Sequence, residues 1–181
     1  HLYHFQYDIS KQDELKNELV KNNSLYQNID VVILNAAAEN DDSSSIIETN
    51  LKASCAIIEY FVQNVPSIKH YINMNSWMSK LPDHINPVYA SSKSGLVQLF
   101  LSYKAKYPGL HFKSILLGPL KEKHPLFLSK KRAAEIIICS IFKSGNRTYL
   151  TFLNFTLYQL LKLLPFRYQI KILKASRKHA Q

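Results

Sequence analysis

Glycine is scarce in this sequence. Among 181 residues there are four glycines, Gly95, Gly109, Gly118 and Gly145. None of them lies in a glycine-rich turn of the kind that holds a pyrophosphate at the N-terminus of a helix. A dinucleotide-binding function therefore cannot be inferred from the usual phosphate-binding motif and has to be argued from other residues.

Cysteines, apolar runs and metal ligands are also few. Cys55 and Cys139 are the only cysteines, and each lies in an apolar helical pattern, which predicts reduced core residues of a cytosolic protein rather than disulfides. No signal peptide is recognisable and no run of about 18 residues is free of polar interruption, so no membrane span is predicted. His1 and His4 are the only closely spaced histidines, and no acid or cysteine is arranged around them, so no metal site is predicted.

Acidic residues become rare after residue 50. Residues 1–50 carry three lysines against nine acids, whereas residues 51–181 carry twenty lysines and arginines against four acids. The basic part could attract a phosphate-bearing cofactor, anionic lipid or nucleic acid. Because the chain has no motif for reading bases, we predict no nucleic-acid function.

What the sequence does contain is an alternation of strand-like and helix-like segments. With 181 residues, 46% of them hydrophobic, the chain can bury one good core. The alternation predicts an α/β protein with a parallel sheet, in which the apolar run Val31 to Leu34 is a buried strand. Strands are predicted over residues 2–7, 31–34, 69–75, 110–117 and 147–153, and helices over 46–65, 87–107 and 129–143.

A serine, a tyrosine and a lysine stand at spacings that suit proton transfer. Tyr89 and Lys93 are four residues apart, so on a helix both side chains project from one face. A free tyrosine has a pKa of about 10, and a neighbouring ammonium lowers that pKa, so Lys93 would make Tyr89 a general acid or base. Ser76 precedes a loop with two prolines that could fold its hydroxyl back beside Tyr89.

The same Tyr-x-x-x-Lys spacing also occurs at Tyr7/Lys11 and Tyr158/Lys162. The copy at Tyr89 differs because small residues lie between the tyrosine and its lysine, and because Ser76 stands thirteen residues upstream after a strand-like run. Small residues allow a ligand to approach the backbone. We therefore assign a functional role to this copy alone.

Four motifs in order resemble the short-chain dehydrogenase/reductase family. In chain order they are the strand leading into Asn35-Ala-Ala-Ala38, Asn50 within a helix, the Ser76–Tyr89–Lys93 set, and Leu117-Gly-Pro-Leu120 after a later strand. The resemblance covers about residues 1–150. It implies a Rossmann-like, doubly wound parallel sheet in a three-layer α/β/α arrangement. It also implies an NAD(P)-dependent oxidoreductase that transfers a hydride between a nicotinamide cofactor and a carbonyl or alcohol substrate.

The resemblance also implies a role for each catalytic residue. Tyr89 would exchange a proton with the substrate oxygen, and Ser76 would hold that oxygen. Lys93 would lower the pKa of Tyr89 and bind the nicotinamide ribose. Asn50 would hold a water molecule that links Lys93 to solvent.

Further residues would contact NAD or NADP. In the family, an aspartate after the third strand borders the adenine pocket, and the turn after a later strand meets the nicotinamide amide. The implied cofactor-binding residues are Asp8, Asn35, Ala36, Ala37, Tyr89, Lys93, Gly118 and Leu120. The alternative for Asp8 is a strand-end or capping residue. After the strand that leads into Asn35, the family has Asn-Asn-Ala-Gly. Its second asparagine is replaced by Ala36 in this sequence, and its glycine by Ala38.

The family's glycine-rich turn follows its first strand, roughly fifty residues before the position of Asp8. The chain is therefore expected to lack the first two strands, to leave a sheet edge open, and to bind dinucleotide poorly by itself. Residues 1–152 would form a partial Rossmann domain and residues 153–181 a helical extension of it. The resemblance also implies a homo-oligomer.

The C-terminal region has leucines at helical spacing followed by lysines and arginines, which suits a membrane surface. The alternatives are a helical lid over the substrate and a packed terminal helix. A second hypothesis for the whole chain is a non-catalytic remnant that binds a membrane or a protein through these helices. The intact Ser76, Tyr89 and Lys93 argue against it.

Overall fold

The computed structural model of this protein describes residues 6–39, 42–118, 129–143, 145, 147–149 and 152–178. Within these residues a four-stranded sheet has the order β1-β2-β3-β4, and every neighbouring pair is parallel. The strands are β1 (Val31–Leu34), β2 (His70–Ser76), β3 (His111–Leu117) and β4 (Arg147–Tyr149).

Helices connect the strands. The helices are α1 (Gln12–Lys21), α2 (Asn23–Tyr26), α3 (Ser43–Ile47), α4 (Ala53–Asn64), α5 (Pro87–Lys106), α6 (Lys130–Ser140), α7 (Phe152–Leu163) and α8 (Phe166–Lys178). A π-helical turn, Glu48–Lys52, joins α3 to α4, and a 3₁₀ turn, Trp77–Ser79, follows β2.

The two faces of the sheet are covered by different helices. Tyr71 of β2 and Phe112 of β3 stack with ring centroids 4.8 Å apart, in a core shared with α1, α4 and α5. The alternate residues Ile72 and Ile115 pack against Ala133 of α6 on the opposite face. Since successive side chains of a strand point to opposite faces, this pattern gives the predicted three-layer α/β/α arrangement.

Local signals define the ends of α5. Pro87 is the first residue of this helix, and the Asn86 side chain accepts a hydrogen bond of 2.9 Å from the Tyr89 backbone amide. Proline without an amide hydrogen suits the first helical turn, and asparagine is a favoured N-cap. The helix ends at Lys106, two residues before Pro108. The predicted boundaries of this helix are confirmed.

Three sequence expectations are corrected. Gln6 and Tyr7 do not form a strand, and residues 1–5 lie outside the described part. The last strand ends at Tyr149, because α7 begins at Phe152. Cys139 is an exposed residue rather than a core residue, because α6 turns other residues toward the sheet.

Strand β1 is less buried than its apolar sequence predicts. Its only partner among the described residues is β2, so it lies at one edge of the described sheet. The Ile33 side chain is 48% exposed there. An apolar edge strand with unpaired backbone groups is normally covered in a folded protein.

The C-terminal helices have many exposed apolar side chains. Leu163 is 81% exposed, and Leu160 and Phe166 are also largely exposed. Leu161 is an exception, since it packs against the cluster formed by Trp77, Leu81 and Leu116. In the described parts of the chain, no helix is both long and apolar enough to cross a membrane.

Candidate active site

The predicted site residues converge on one edge of the sheet. In a parallel sheet all strands end on the same side, and ligands of open α/β sheets bind there. Ser76 is the last residue of β2 and lies opposite Leu117, the last residue of β3 and the neighbour of Gly118. Residues 35–37 follow β1 at this same edge, and all three are exposed.

The hydroxyl of Ser76 is held by the backbone that follows it. Its Oγ accepts a hydrogen bond of 3.2 Å from the Met78 amide and so caps the 3₁₀ turn Trp77–Ser79. A hydroxyl that accepts one bond still has its own hydrogen to donate. Ser76 can therefore donate this hydrogen to a substrate oxygen while its Oγ remains anchored.

Tyr89 and Lys93 lie in the first two turns of α5, on one side of the helix. The Lys93 Nζ is 5.6 Å from the centroid of the Tyr89 ring, within the range of a cation–π contact. The Lys93 side chain is only 4% exposed, and its Nζ donates a 3.3 Å hydrogen bond to the Met74 carbonyl. The phenol and the ammonium are therefore neighbours, as their spacing predicts.

Burial affects the charge of Lys93. Removal of the ammonium from water lowers the pKa of Lys93, and the negative charge of Glu39 partly opposes this effect by raising it. Holding a cation in this position therefore has a free-energy cost for the fold. Shifted pKa values of this kind cluster at functional sites.

Asn50 links the end of β1 to the helix that carries Tyr89. It is 1% exposed and lies in the π-helical turn, and its Oδ1 accepts a 2.7 Å hydrogen bond from the Ala38 amide. Its Nδ2 donates to the Ala38 carbonyl and to the Ser92 hydroxyl, both at 3.0 Å. The Ser92 hydroxyl in turn donates to the Tyr89 carbonyl at 2.8 Å.

These contacts use both amide hydrogens of Asn50. A water molecule held by this side chain would therefore have to donate to the second lone pair of Oδ1. The water-binding role of Asn50 stays a prediction, whereas its hydrogen bonds give it a positioning role.

Asn75 is a site residue that sequence reasoning missed. Its Oδ1 accepts a 2.7 Å hydrogen bond from the Ser76 amide, and its Nδ2 donates a 3.0 Å bond to the Lys93 carbonyl. One buried amide thus joins the strand that ends at Ser76 to the helix that carries Lys93. The available signal was the pair of asparagines, Asn73 and Asn75, within this buried strand, since buried polar side chains need partners.

Gly118 is required by the close approach of an indole ring. A Cβ atom at this position would lie 2.7 Å from Cζ2 of Trp77, too close for any real side chain. Trp77 directly follows Ser76 and packs against Leu161 of α7, so this contact connects the predicted cofactor edge to the C-terminal helices. Leu120, the other predicted residue of this turn, lies outside the described residues.

Asp8 caps a turn. Its Oδ1 accepts hydrogen bonds from both the amide and the hydroxyl of Ser10, at 2.9 and 2.8 Å. The same bonds lower the pKa of the Asp8 carboxyl. This geometry matches the capping alternative, and a role at an adenine pocket stays a prediction.

Comparison with known proteins assigns the chain to a family. The family model for short chain dehydrogenases matches residues 1–121. The fold is similar to that of a short chain dehydrogenase from Burkholderia cenocepacia J2315, solved in complex with NADP. The two share 14% identity and a TM-score of 0.71 over 88% of this chain and 76% of that one.

Two further solved structures are similar. One is the bulky-bulky ketone specific alcohol dehydrogenase from Comamonas testosteroni, with 14% identity and a TM-score of 0.68 over 97% of this chain and 71% of that one. The other is the NADH-dependent reductase A1-R' complexed with NAD, with 18% identity and a TM-score of 0.66 over 80% of this chain and 71% of that one. At such low identity these likenesses show the shared fold alone, whereas the family model matches most of the chain. The chain therefore belongs to the short-chain dehydrogenase family.

Proposed function

We propose that this chain carries the catalytic half of an NAD(P)-dependent oxidoreductase that interconverts a carbonyl and an alcohol. The observation that supports the proposal most is the placement of the Lys93 ammonium 5.6 Å from the Tyr89 ring centroid, on the helix that adjoins Ser76. A cation beside a phenol favours the deprotonated phenol and so makes it a useful proton donor and acceptor near neutral pH.

Each residue has a part in the proton transfer. During reduction, Tyr89 gives its hydroxyl proton to the carbonyl oxygen, and in the reverse direction it takes the proton of the alcohol. Ser76 donates its free hydrogen to the same oxygen and fixes the orientation of the substrate. Lys93 stabilises the tyrosinate that remains after the proton has left. The bound nicotinamide cofactor supplies or accepts the hydride.

The residues described fit the nicotinamide half of NAD or NADP. Asn35, Ala36 and Ala37 are small or polar, exposed, and at the carboxyl edge of the sheet, where Gly118 also lies. None of the four glycines forms a pyrophosphate-binding turn. We therefore propose that polypeptide other than residues 1–181 contributes the phosphate-binding turn, next to the exposed edge of β1, and that this chain alone binds dinucleotide poorly.

The test is the replacement Tyr89→Phe in the full-length protein. We expect the turnover number, followed by NAD(P)H absorbance with a panel of ketones and aldehydes, to fall by about 10²- to 10⁴-fold, because the proton donor is lost. Tyr107→Phe, at the other end of α5, is the matched control and should retain full turnover. Retained turnover in Tyr89→Phe, with normal folding by circular dichroism, would disprove the proposed role of Tyr89.

A second candidate function is binding to an anionic membrane surface through α7 and α8. The observation that favours it is the exposure of Leu160, Leu163 and Phe166 among basic residues, with no acid in residues 150–181. Cosedimentation with vesicles tests it. We expect binding to vesicles that contain phosphatidylserine and weak binding to phosphatidylcholine alone, and Leu163→Glu should abolish the first.

Oligomerisation is a separate proposal. The family resemblance implies a homo-oligomer that pairs α4 and α5 of one protomer with those of another. Light scattering after gel filtration of the full-length protein measures this directly. A monomeric mass at micromolar concentration would contradict it.

A further inference from the structure

A cavity of about 240 Å³ opens at the amino end of the strands, the opposite end from the candidate active site. His70 and His111 are the first residues of β2 and β3 and are partners in the ladder between these strands. Their rings stack with centroids 4.7 Å apart and form part of the cavity wall. At about 3.3 Å per residue, the β2 strand separates His70 from Ser76 by roughly 20 Å.

The walls of this cavity carry positive charge. Lys104, Lys113 and Lys143 line it together with the two histidines, and none of the described lining residues is acidic. Burial, His111 and Lys113 lower the pKa of His70, and the negative charge of Asp30 raises it by less than they lower it. The cavity therefore offers an excess of positive charge without a matching carboxylate in its wall.

Lys113 fixes one of these charges in place. Its side chain is 3% exposed, and its Nζ donates hydrogen bonds to the carbonyls of Ser140, Ile141 and Lys143 at the C-terminal end of α6. These three acceptors use all three ammonium hydrogens and are neutral, so they orient the charge but do not cancel it. The exposed Lys104 and Lys143 side chains remain available as donors to a ligand.

The histidine pair has an unused hydrogen-bonding group. The Nδ1 atom of His70 is buried, and among the described residues it has no hydrogen-bond partner. Phe142 packs edge-on against the same ring, with centroids 5.0 Å apart. A buried ring nitrogen without a partner is a local cost to the fold, and this nitrogen belongs to a ring that lines the cavity.

We propose that this cavity binds a phosphate group, either as free phosphate or as the exposed phosphate of a larger molecule. Its volume corresponds to about eight water molecules at about 30 Å³ each. That space holds one or two phosphate groups and is smaller than the pockets of about 300–1,000 Å³ that enclose whole organic ligands. Lysine donors around a tetrahedral anion are a common phosphate-binding arrangement.

The site is independent of the proposed redox function. It lies at the other end of the sheet, shares no lining residue with the candidate active site, and can be tested without a nicotinamide or a carbonyl compound. Loss of turnover in Tyr89→Phe would leave this binding unchanged. Failure of either proposal therefore does not decide the other.

The test is calorimetric titration of the full-length protein with inorganic phosphate at constant ionic strength set with chloride. We expect saturable binding that Lys104→Gln and Lys143→Gln each weaken by about tenfold, because a charged hydrogen-bond donor is lost. Lys106→Gln is the matched control, since Lys106 is an exposed lysine of α5 that does not line the cavity. It should bind phosphate as the parent does.

The source of the phosphate is distinguished by two more titrants. Weaker binding of glycerol 3-phosphate than of phosphate would assign the free ion, whereas tighter binding to phosphatidic acid vesicles, lost in Lys104→Gln and Lys143→Gln, would assign a lipid headgroup. Either result supports the site. The proposal is overturned if phosphate gives no saturable heat, or if Lys106→Gln weakens binding as much as the two cavity variants do.

Discussion

Replacement of Gly118 by alanine tests the contact between this glycine and Trp77 at the carboxyl edge of the sheet. A new Cβ atom would lie 2.7 Å from Cζ2 of Trp77, 2.8 Å from its Cε2 and 3.2 Å from its Nε1. Comfortable carbon–carbon contacts are about 3.5–4.0 Å, so the ring would have to move by about 1 Å. Trp77 is buried among Leu81, Leu116 and Leu161 and has little room to do so.

The magnitude follows from two opposing effects. Added atoms in a well-packed core lower the free energy of unfolding by about 1–3 kcal/mol. Replacing glycine by alanine also makes the unfolded chain less flexible, which raises the free energy of unfolding by about 0.4–1 kcal/mol. Among the glycines described, only Gly145 has a positive φ, so backbone strain at Gly118 adds nothing. We expect Gly118→Ala to reduce the free energy of unfolding by about 1–2 kcal/mol, which lowers Tm by about 2–8 °C for a chain of this size.

The assay is thermal unfolding followed by circular dichroism and by tryptophan fluorescence. Trp77 is the only tryptophan, so the emission spectrum reports on the surroundings of this one ring. Gly109→Ala is the control, because a Cβ atom there would meet nothing within 4 Å. In a double-mutant cycle, Trp77→Phe should remove most of the cost of Gly118→Ala. An unchanged Tm together with an unchanged emission maximum would refute the close contact.

Two other predictions concern buried polar groups. Asn50→Ala should lower the free energy of unfolding by about 2–4 kcal/mol, because three hydrogen-bonding groups lose their partner. In urea unfolding this loss should appear as a lower midpoint with an unchanged m-value. Asn50→Asp keeps the size and should also destabilise, since a carboxylate cannot donate to Ala38 or Ser92. Lys93→Met should raise Tm at pH 7 by about 2–4 °C, because it removes a buried charge. Burial lowers the pKa of Lys93 in the folded state, so the unfolded chain binds more protons between the folded and unfolded pKa values, and the parent gains stability as the pH rises through that interval. The advantage of Lys93→Met in thermal scans should therefore be largest at low pH and shrink as the pH rises toward the unfolded-state pKa of lysine, and a difference that grows with pH would contradict the burial cost.

The features that the sequence predicted well depend on local signals. Pro87 and Asn86 define the start of α5 because proline and asparagine suit the first helical turn whatever the rest of the fold does. The spacing of Tyr89 and Lys93 places both side chains on one side of that helix for the same reason. The alternation of strand-like and helix-like segments was enough to predict an α/β fold with a parallel sheet, whereas the three-layer arrangement was implied by the family resemblance.

The features that the sequence did not predict depend on contacts between distant segments. The sequence marks Asn75 as a polar residue within a strand but does not identify its partner, because Lys93 lies eighteen residues later and meets it only after the strand and helix pack. The exposure of Ile33 depends on which strands flank β1, which an apolar run does not specify. The β-prone composition at residues 6 and 7 was misleading because strand formation also requires a neighbouring strand to pair with.

The two buried asparagines also bear on how this protein can change over time. Asn50 and Asn75 fasten the loop after β1, the end of β2 and the front of α5 to one another by directional amide bonds. These bonds and the packing of the surrounding apolar residues both stabilise the fold, but only the bonds are directional, so they also fix how the backbone at Ser76 and at Lys93 is oriented. Substitutions among the apolar neighbours can therefore lower stability and leave this orientation in place, whereas loss of either asparagine changes stability and orientation together.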